Sequence, residues 1–194
     1  MRQPCRHVCA AAVLALALPG APAAAADFAI DTAHTAVHFA VSHFDISYVR
    51  GRFTRVRGTI AFDPERKTGT FDLRIDPDSL DTGNTTLDQV LRSEQFLGTA
   101  QFGDARFGGG SFVFEGDRLV AVEGTLVLHG IARPVRLAPA RFVCKDVRAG
   151  IVTRHVCGGE FRATLRRTDF GMTRFLPDVG DEVSLTIDIE ATRQ

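Results

Sequence analysis

A period of two constrains this chain more than any other feature. Val37, Phe39 and Val41 alternate with His38, Ala40 and Ser42, and Phe71, Leu73 and Ile75 with Asp72 and Arg74. The same rhythm returns in Phe161, Ala163 and Leu165 and in Val183, Leu185, Ile187 and Ile189. Each stretch reads as a strand with one apolar and one wet face, the pattern of an antiparallel sheet. Turn residues separate the strands: Asp63-Pro64, Gly69, Gly108-Gly109-Gly110, Gly116-Asp117, Gly158-Gly159 and Gly180-Asp181. Phe53 is odd-numbered while Val56, Ile60 and Phe62 are even, so the apolar phase slips, and a bulge near Arg55–Gly58 is expected to absorb it.

One segment breaks the alternation. Within Asn84–Leu97, Leu87, Val90 and Leu91 fall at helical spacing, with Asn84 or Thr85 as N-cap and Asp88 in the first turn. The chain is therefore all-β with one short helical insertion. Roughly eight or nine strands joined by short turns bury a common face either as a barrel or as a sandwich. Inward positions would carry Phe39, Phe53, Phe62, Phe71, Phe112 and Phe114 among Val, Leu and Ile. On residue types alone these side chains most simply make a densely packed core, and a barrel with room for one small ligand is the alternative.

The first residues do not belong to that pattern. Arg2 and Arg6, the apolar run Val8–Leu18 and the small-residue tract Ala23–Ala26 describe a secretory signal peptide over residues 1–26, too short for a membrane anchor. Residues 27–194 then form one domain of 168 residues with 21 basic and 23 acidic side chains. That balance speaks against a nucleic-acid partner, which calls for a basic surplus. Cys144 and Cys157 remain in the exported chain, flanking the polar segment Lys145–His155, which reads as a hairpin tip. A pair in an oxidising compartment is most simply a disulfide stapling neighbouring strands.

Signals for chemistry are weak. His34, His38 and His43 cluster in sequence, but at spacings poor for metal ligation on one strand, so no metal and no cofactor is expected. Gly-x-Ser-x-Gly is absent, and Gly108-Gly109-Gly110 lacks the Lys-Ser/Thr of a phosphate loop. No catalytic residue is assigned. Polar groups instead gather near strand ends, where a barrel rim could hold the head of a ligand whose tail lies inside.

A longer series of motifs carries a resemblance. Asp31-x-x-His34-Thr35-x-Val37-x-Phe39-x-Val41-x-His43, Gly51-x-Phe53, Phe62-Asp63-Pro64 and Asp81-Thr82-Gly83-Asn84 come first. Leu91-Arg92-Ser93-x-x-Phe96-Leu97, Gly124-x-Leu126-x-Leu128-His129-Gly130-x-x-x-Pro134-Val135 and Arg167-x-Asp169-Phe170-Gly171-Met172 follow. In order and spacing the chain resembles the YceI-like family of polyisoprenoid-binding proteins. The resemblance implies a lipocalin-like antiparallel eight-stranded β-barrel with a short helical insertion, exported to the periplasm. It also implies an isoprenoid lipid or quinone as bound ligand in an apolar tunnel, and a disulfide on a late hairpin.

Together with the alternation, this gives a non-enzymatic binding or carrier protein. Val37, Phe39, Val41, Phe53, Phe71, Leu73 and Phe112 are expected to line the cavity, with His43, Arg50 and Arg92 around the head group. A catalytic use of the same cavity, with His43 or His34 as base, and a solid-cored interaction domain serving an envelope redox partner are the rival readings. Transient contact with the inner membrane belongs to the carrier role. Two barrels could pair through an exposed strand, although no unusual apolar outer face stands out.

Overall fold

The structure, a computed structural model, describes residues 25–194 and all of their side chains but that of Ala149. The expected signal peptide lies outside these residues except for Ala25 and Ala26. Among the described residues there are eleven strands: β1 (Ala26–Ile30), β2 (Ala36–His43), β3 (Ser47–Phe53), β4 (Val56–Asp63), β5 (Thr68–Ile75), β6 (Leu80–Asp81), β7 (Ala105–Glu115), β8 (Arg118–Leu128), β9 (Ile131–Ala149), β10 (Val152–Arg166) and β11 (Val179–Arg193). Helices α1 (Thr85–Arg92) and α2 (Thr99–Phe102) lie between β6 and β7. Every pairing is antiparallel.

The ring β1-β4-β5-β7-β8-β9-β10-β11 closes on itself through β1 and β11, which gives the expected eight-stranded barrel. Closure leaves the ring without unpaired edges. β11 is long enough to hold two partners in line. Its C-terminal half pairs with β1 (Ile30↔Ala191), and its N-terminal half pairs with β2 (Leu185↔Phe39). The first strand is thus interrupted at Asp31–Thr35. Buried Thr35 patches the break, its hydroxyl donating to the Glu190 carbonyl at 3.3 Å and accepting from the Glu190 amide at 3.1 Å.

The second strand is interrupted in the same way. The expected bulge at Arg55–Gly58 is instead a break at Thr54–Arg55 between β3 and β4. Buried Ser79 fills it: its hydroxyl oxygen accepts from the amides of Thr54 (3.1 Å) and Arg55 (3.0 Å). A bulge would have kept one partner strand throughout. Here β4 pairs with β5, while β3 turns to the two-residue β6. The phase slip between Phe53 and Val56 is the trace of that change of partner.

The hydrogen-bonded wall ends at β6, and the helical insertion takes over. Asn84 caps α1, its side chain accepting from the amides of Thr86 and Leu87. The helix is shorter than the apolar spacing suggested, ending at Arg92, with a separate turn of helix at Thr99–Phe102. Buried Asp88 accepts from the Thr82 amide (2.9 Å) and hydroxyl (2.7 Å), which ties the helix to the preceding loop.

At the far end, β9 and β10 run on as a hairpin beyond their pairing with the rest of the barrel. Cys144 and Cys157 face each other directly in that hairpin and are joined by a disulfide.

Candidate functional site

Inward-pointing side chains do not fill the barrel. A large cavity of about 1390 Å³, counting its open mouth, lies at the end bounded by β2, β3 and the helices. Val37, Phe39 and Val41 of β2 and Phe53 of β3 form one wall. Directly across the ladder stand Ile187, Leu185 and Val183 of β11, paired with Val37, Phe39 and Val41. Leu80, Leu91, Phe96 and Leu97, from β6 and the helical segment, close the side where the sheet stops. Leu126, Leu128, Val135 and Leu137 from β8 and β9 complete the far wall.

Phe39 owes its position to Gly51. The two are cross-strand partners, and a Cβ at Gly51 would lie 2.5 Å from the Phe39 ring. The ring therefore lies over bare backbone, with Phe53 at a centroid distance of 5.7 Å.

The one charged residue on this wall is Arg167, and its guanidinium is turned away from the void. Nε donates to the Gly180 carbonyl (2.8 Å), Nη2 to Val179 (2.7 Å) and Nη1 to Met172 (2.9 Å). Burial pulls its pKa below the usual arginine value, with the Asp181 carboxylate acting in the opposite sense. Asp181 in turn accepts from the amide and hydroxyl of Thr168 and from Arg166. Burial alone would raise the Asp181 pKa, but these donors hold it below the ordinary aspartate value. Arg167 thus ties the turn at Arg167–Phe170 to the start of β11 and shows the cavity only its hydrocarbon stem. The accessible wall is wholly apolar.

The remaining expected residues fall elsewhere. Leu73 faces the large cavity and also a smaller void of about 550 Å³ on the other side, which Phe71 and Phe112 line. None of the three head-group candidates lines the large cavity. His43 sits at the end of β2 with its ring 4.5 Å from that of Phe44, and Arg50 is exposed over the Tyr48 ring at 5.2 Å. Arg92 donates from Nη2 to the carbonyl of Leu80, itself a lining residue, at 2.5 Å, while its buried Nε has no partner among the described residues. His129 shares that condition: Nδ1 donates to the Phe170 carbonyl at 2.9 Å and buried Nε2 is unpartnered.

His34, a candidate base in the rival reading, is exposed and outside the cavity. It bonds Asp31 through Nδ1 at 2.9 Å, with Glu190 3.9 Å away. The Asp31 carboxylate raises the His34 pKa, and His34 lowers that of Asp31.

The sequence reading missed the walls from β8, β9, β11 and the helical insertion. In β11 the signal was present, since Val183, Leu185 and Ile187 alternate as clearly as the β2 residues. In the insertion it was not, because Leu80, Leu91, Phe96 and Leu97 share no single period.

Comparison with known proteins agrees with this architecture. The YceI-like domain profile matches residues 28–191. A UPF0312 protein of Ectopseudomonas mendocina is 33% identical over 97% of this chain and 99% of its own. One from Vibrio campbellii is 35% identical over 67% of this chain and 69% of its own. Among solved structures, BcnA of Burkholderia cenocepacia superposes with a TM-score of 0.67 at 20% identity, covering 84% of this chain and 99% of its own. A polyisoprenoid binding domain from Saccharophagus degradans, implicated in plant cell wall breakdown, gives a TM-score of 0.61 at 18% identity, covering 86% and 98%. These structures share the fold, and the profile match across nearly all the described residues places the chain in the YceI-like domain family.

Proposed function

We propose that this protein binds and carries an isoprenoid lipid, a polyprenyl chain or an isoprenoid quinone, within the large cavity, in the periplasm and without catalysing a reaction. The observation that carries this reading is a void of about 1390 Å³ whose accessible wall is apolar throughout. Ordinary small-molecule pockets include a few convergent polar groups that fix the orientation of the ligand. A long hydrocarbon tail needs neither direction nor hydrogen bonds from its surroundings, and each Å² of its surface withdrawn from water contributes about 25 cal/mol before the cost of ordering it. Phe, Val, Leu and Ile suit such a guest because none requires a polar partner.

Family membership and the polyisoprenoid-binding neighbour support the ligand class. The Cys144–Cys157 disulfide supports an oxidising compartment. Of the three residues expected at the head group, Arg92 is the one we retain, because its buried Nε has a proton to give beside lining residues Leu80 and Leu91. The ligand is taken up and released in transient contact with the inner membrane. The reading requires no second copy of the chain.

Native mass spectrometry of gently purified protein, followed by organic extraction, tests the proposal. A stoichiometric lipid with a prenyl fragmentation pattern is expected, and a bare polypeptide mass counts against it. Phe39→Asp places a charge inside the void and should abolish uptake. A folded Phe39→Asp protein that takes up a prenyl quinone normally would show that the cavity has been misassigned.

A further inference from the structure

The end of the barrel at the turn between β2 and β3 carries an apolar outer surface that lining the cavity does not explain. Ile46, at the turn between β2 and β3, is 87% exposed, and Phe44 beside it 54%. Phe175 is 49% exposed, and Tyr48 and Leu176 also face solvent. The two segments are held together by the backbone: the Phe44 amide donates to the Asp178 carbonyl at 2.6 Å, and Val179 pairs with His43 across the β2–β11 ladder. These side chains therefore share one rim. Contiguous exposed apolar surface of this kind marks an interaction site.

Three further observations identify the partner. First, the rim is continuous with the cavity. Phe175 lies 6.1 Å, ring to ring, from Phe96, which lines the void, and Val41 and Val179, also lining residues, immediately precede and follow the two rim segments. Second, both exposed phenylalanines are held in the left-handed backbone region, at φ 55° for Phe44 and 59° for Phe175. Non-glycine side chains adopt that region at an energetic cost, and such residues cluster where function demands them. Third, two cations lie over the rim's aromatic rings: the Arg50 guanidinium 5.2 Å from the Tyr48 ring centre and that of Arg174 4.4 Å from that of Phe175. Neither pairs with a carboxylate among the described residues. Aromatic and aliphatic tips flanked by unpaired arginines match the layering of a bilayer surface, with acyl chains below and phosphates above.

We propose that this rim is a membrane-docking surface. Phe44, Ile46, Phe175 and Leu176 enter the boundary between head groups and acyl chains, and Arg50 and Arg174 contact lipid phosphates. The proposal rests on the lipid-carrier reading in one respect: docking here brings the cavity mouth to the bilayer from which an amphiphile is drawn. Asp45 and Asp178 on the same segments offset the two arginines. Apolar insertion therefore dominates, and binding should persist as salt is raised.

The test is co-flotation of the purified protein with vesicles of equimolar phosphatidylethanolamine and phosphatidylglycerol. The wild type should float with the vesicles, and the triple variant Phe44→Asn/Ile46→Ser/Phe175→Asn should partition at least about tenfold more weakly. Asparagine tolerates the left-handed backbone, so the variant retains the fold. Ile151, 97% exposed at the opposite end of the barrel, supplies the control: Ile151→Ser should float like the wild type. Failure of the wild type to float, or equal flotation of the triple variant, overturns the docking surface. A wild-type dimer that the same substitutions disperse, without vesicle binding, overturns it in favour of a second copy as partner. Loading of the cavity from detergent-dispersed prenyl alcohol is measured separately and should be unchanged in the triple variant. If the wild type floats but never loads, docking stands and the carrier reading falls.

Discussion

The two ends of this barrel are both apolar inside and packed to opposite effect. Where β1 and β4 complete the ring, the interior is aromatic. Phe62 lies 5.3 Å from Phe112 and meets Phe142 edge-on at 5.9 Å, while Phe71 stacks on Phe107 at 4.8 Å. These rings interlock and leave the smaller void, about 550 Å³ with the open solvent around it included. Where β2 and β3 take over, most inward side chains are aliphatic and too short to meet across the bore, and the void reaches about 1390 Å³. Leu73, Phe107, Leu137 and Ile189 face both voids and form the partition between them. Hydrophobicity thus marks which face turns inward, whereas the reach and shape of the side chains decide whether that face closes on itself.

The sharpest way to break this contrast is to remove the partition. Phe107→Ala deletes a buried ring from between the voids, and calorimetry should show a loss of about 3–5 kcal/mol. The same variant should accept longer prenyl chains than the wild type, measured by competition between chain lengths in native mass spectrometry. Unchanged length preference would mean that the voids do not act as one bore.

Removing the staple comes next. Cys144→Ser/Cys157→Ser opens a link with a sequence separation of 13 and should cost about 3 kcal/mol in denaturant unfolding. Because the disulfide lies at the aromatic end, loading of the large cavity should hardly change.

Phe39→Ala should be milder, about 1–2 kcal/mol, because the ring borders space that is already empty and leaves little new cavity behind. Ligand retention should suffer more than stability, the reverse of the staple variant. Equal stability losses from Phe39→Ala and Phe107→Ala would erase the distinction between the two ends.

The smallest effect concerns the exposed pair Asp31–His34. The folded His34 pKa is raised above 6.5, so its contribution to stability is present below that value and is lost as pH rises through the folded pKa. Asp31 has a lowered pKa, so its contribution is present above 3.8 and is lost as pH falls through its folded pKa. The midpoint difference between wild type and His34→Gln should therefore be largest in mildly acidic solution and shrink above neutrality, by a slight amount given the exposure of both groups. A difference that grows with pH would reverse the assigned sign.

Legibility in the sequence followed the same division. Val37, Phe39 and Val41 could be assigned to the wall because a regular strand converts parity into direction. Asn84 could be assigned as a cap because its side chain acts on amides two and three residues away. The break at Thr54–Arg55 showed only as a slip of phase, since its remedy, Ser79, lies 25 residues away from Thr54. His43 shares the inward parity of Phe39, yet it stands at the strand's end beside Phe44, where parity no longer governs direction. The apolar rim also escaped notice, because Phe44, Ile46 and Tyr48 alternate with polar neighbours and join Phe175 only through contacts between distant segments.

By itself the sequence determined the strands, the all-β class, the inward faces and the cysteine pair, because each depends on local periodicity or on a short hairpin. Only the tertiary structure decided that β3 leaves β5 for β6, that helices complete the wall, and that one end stays hollow while the other fills. Those outcomes depend on distances across the barrel, which no local pattern encodes.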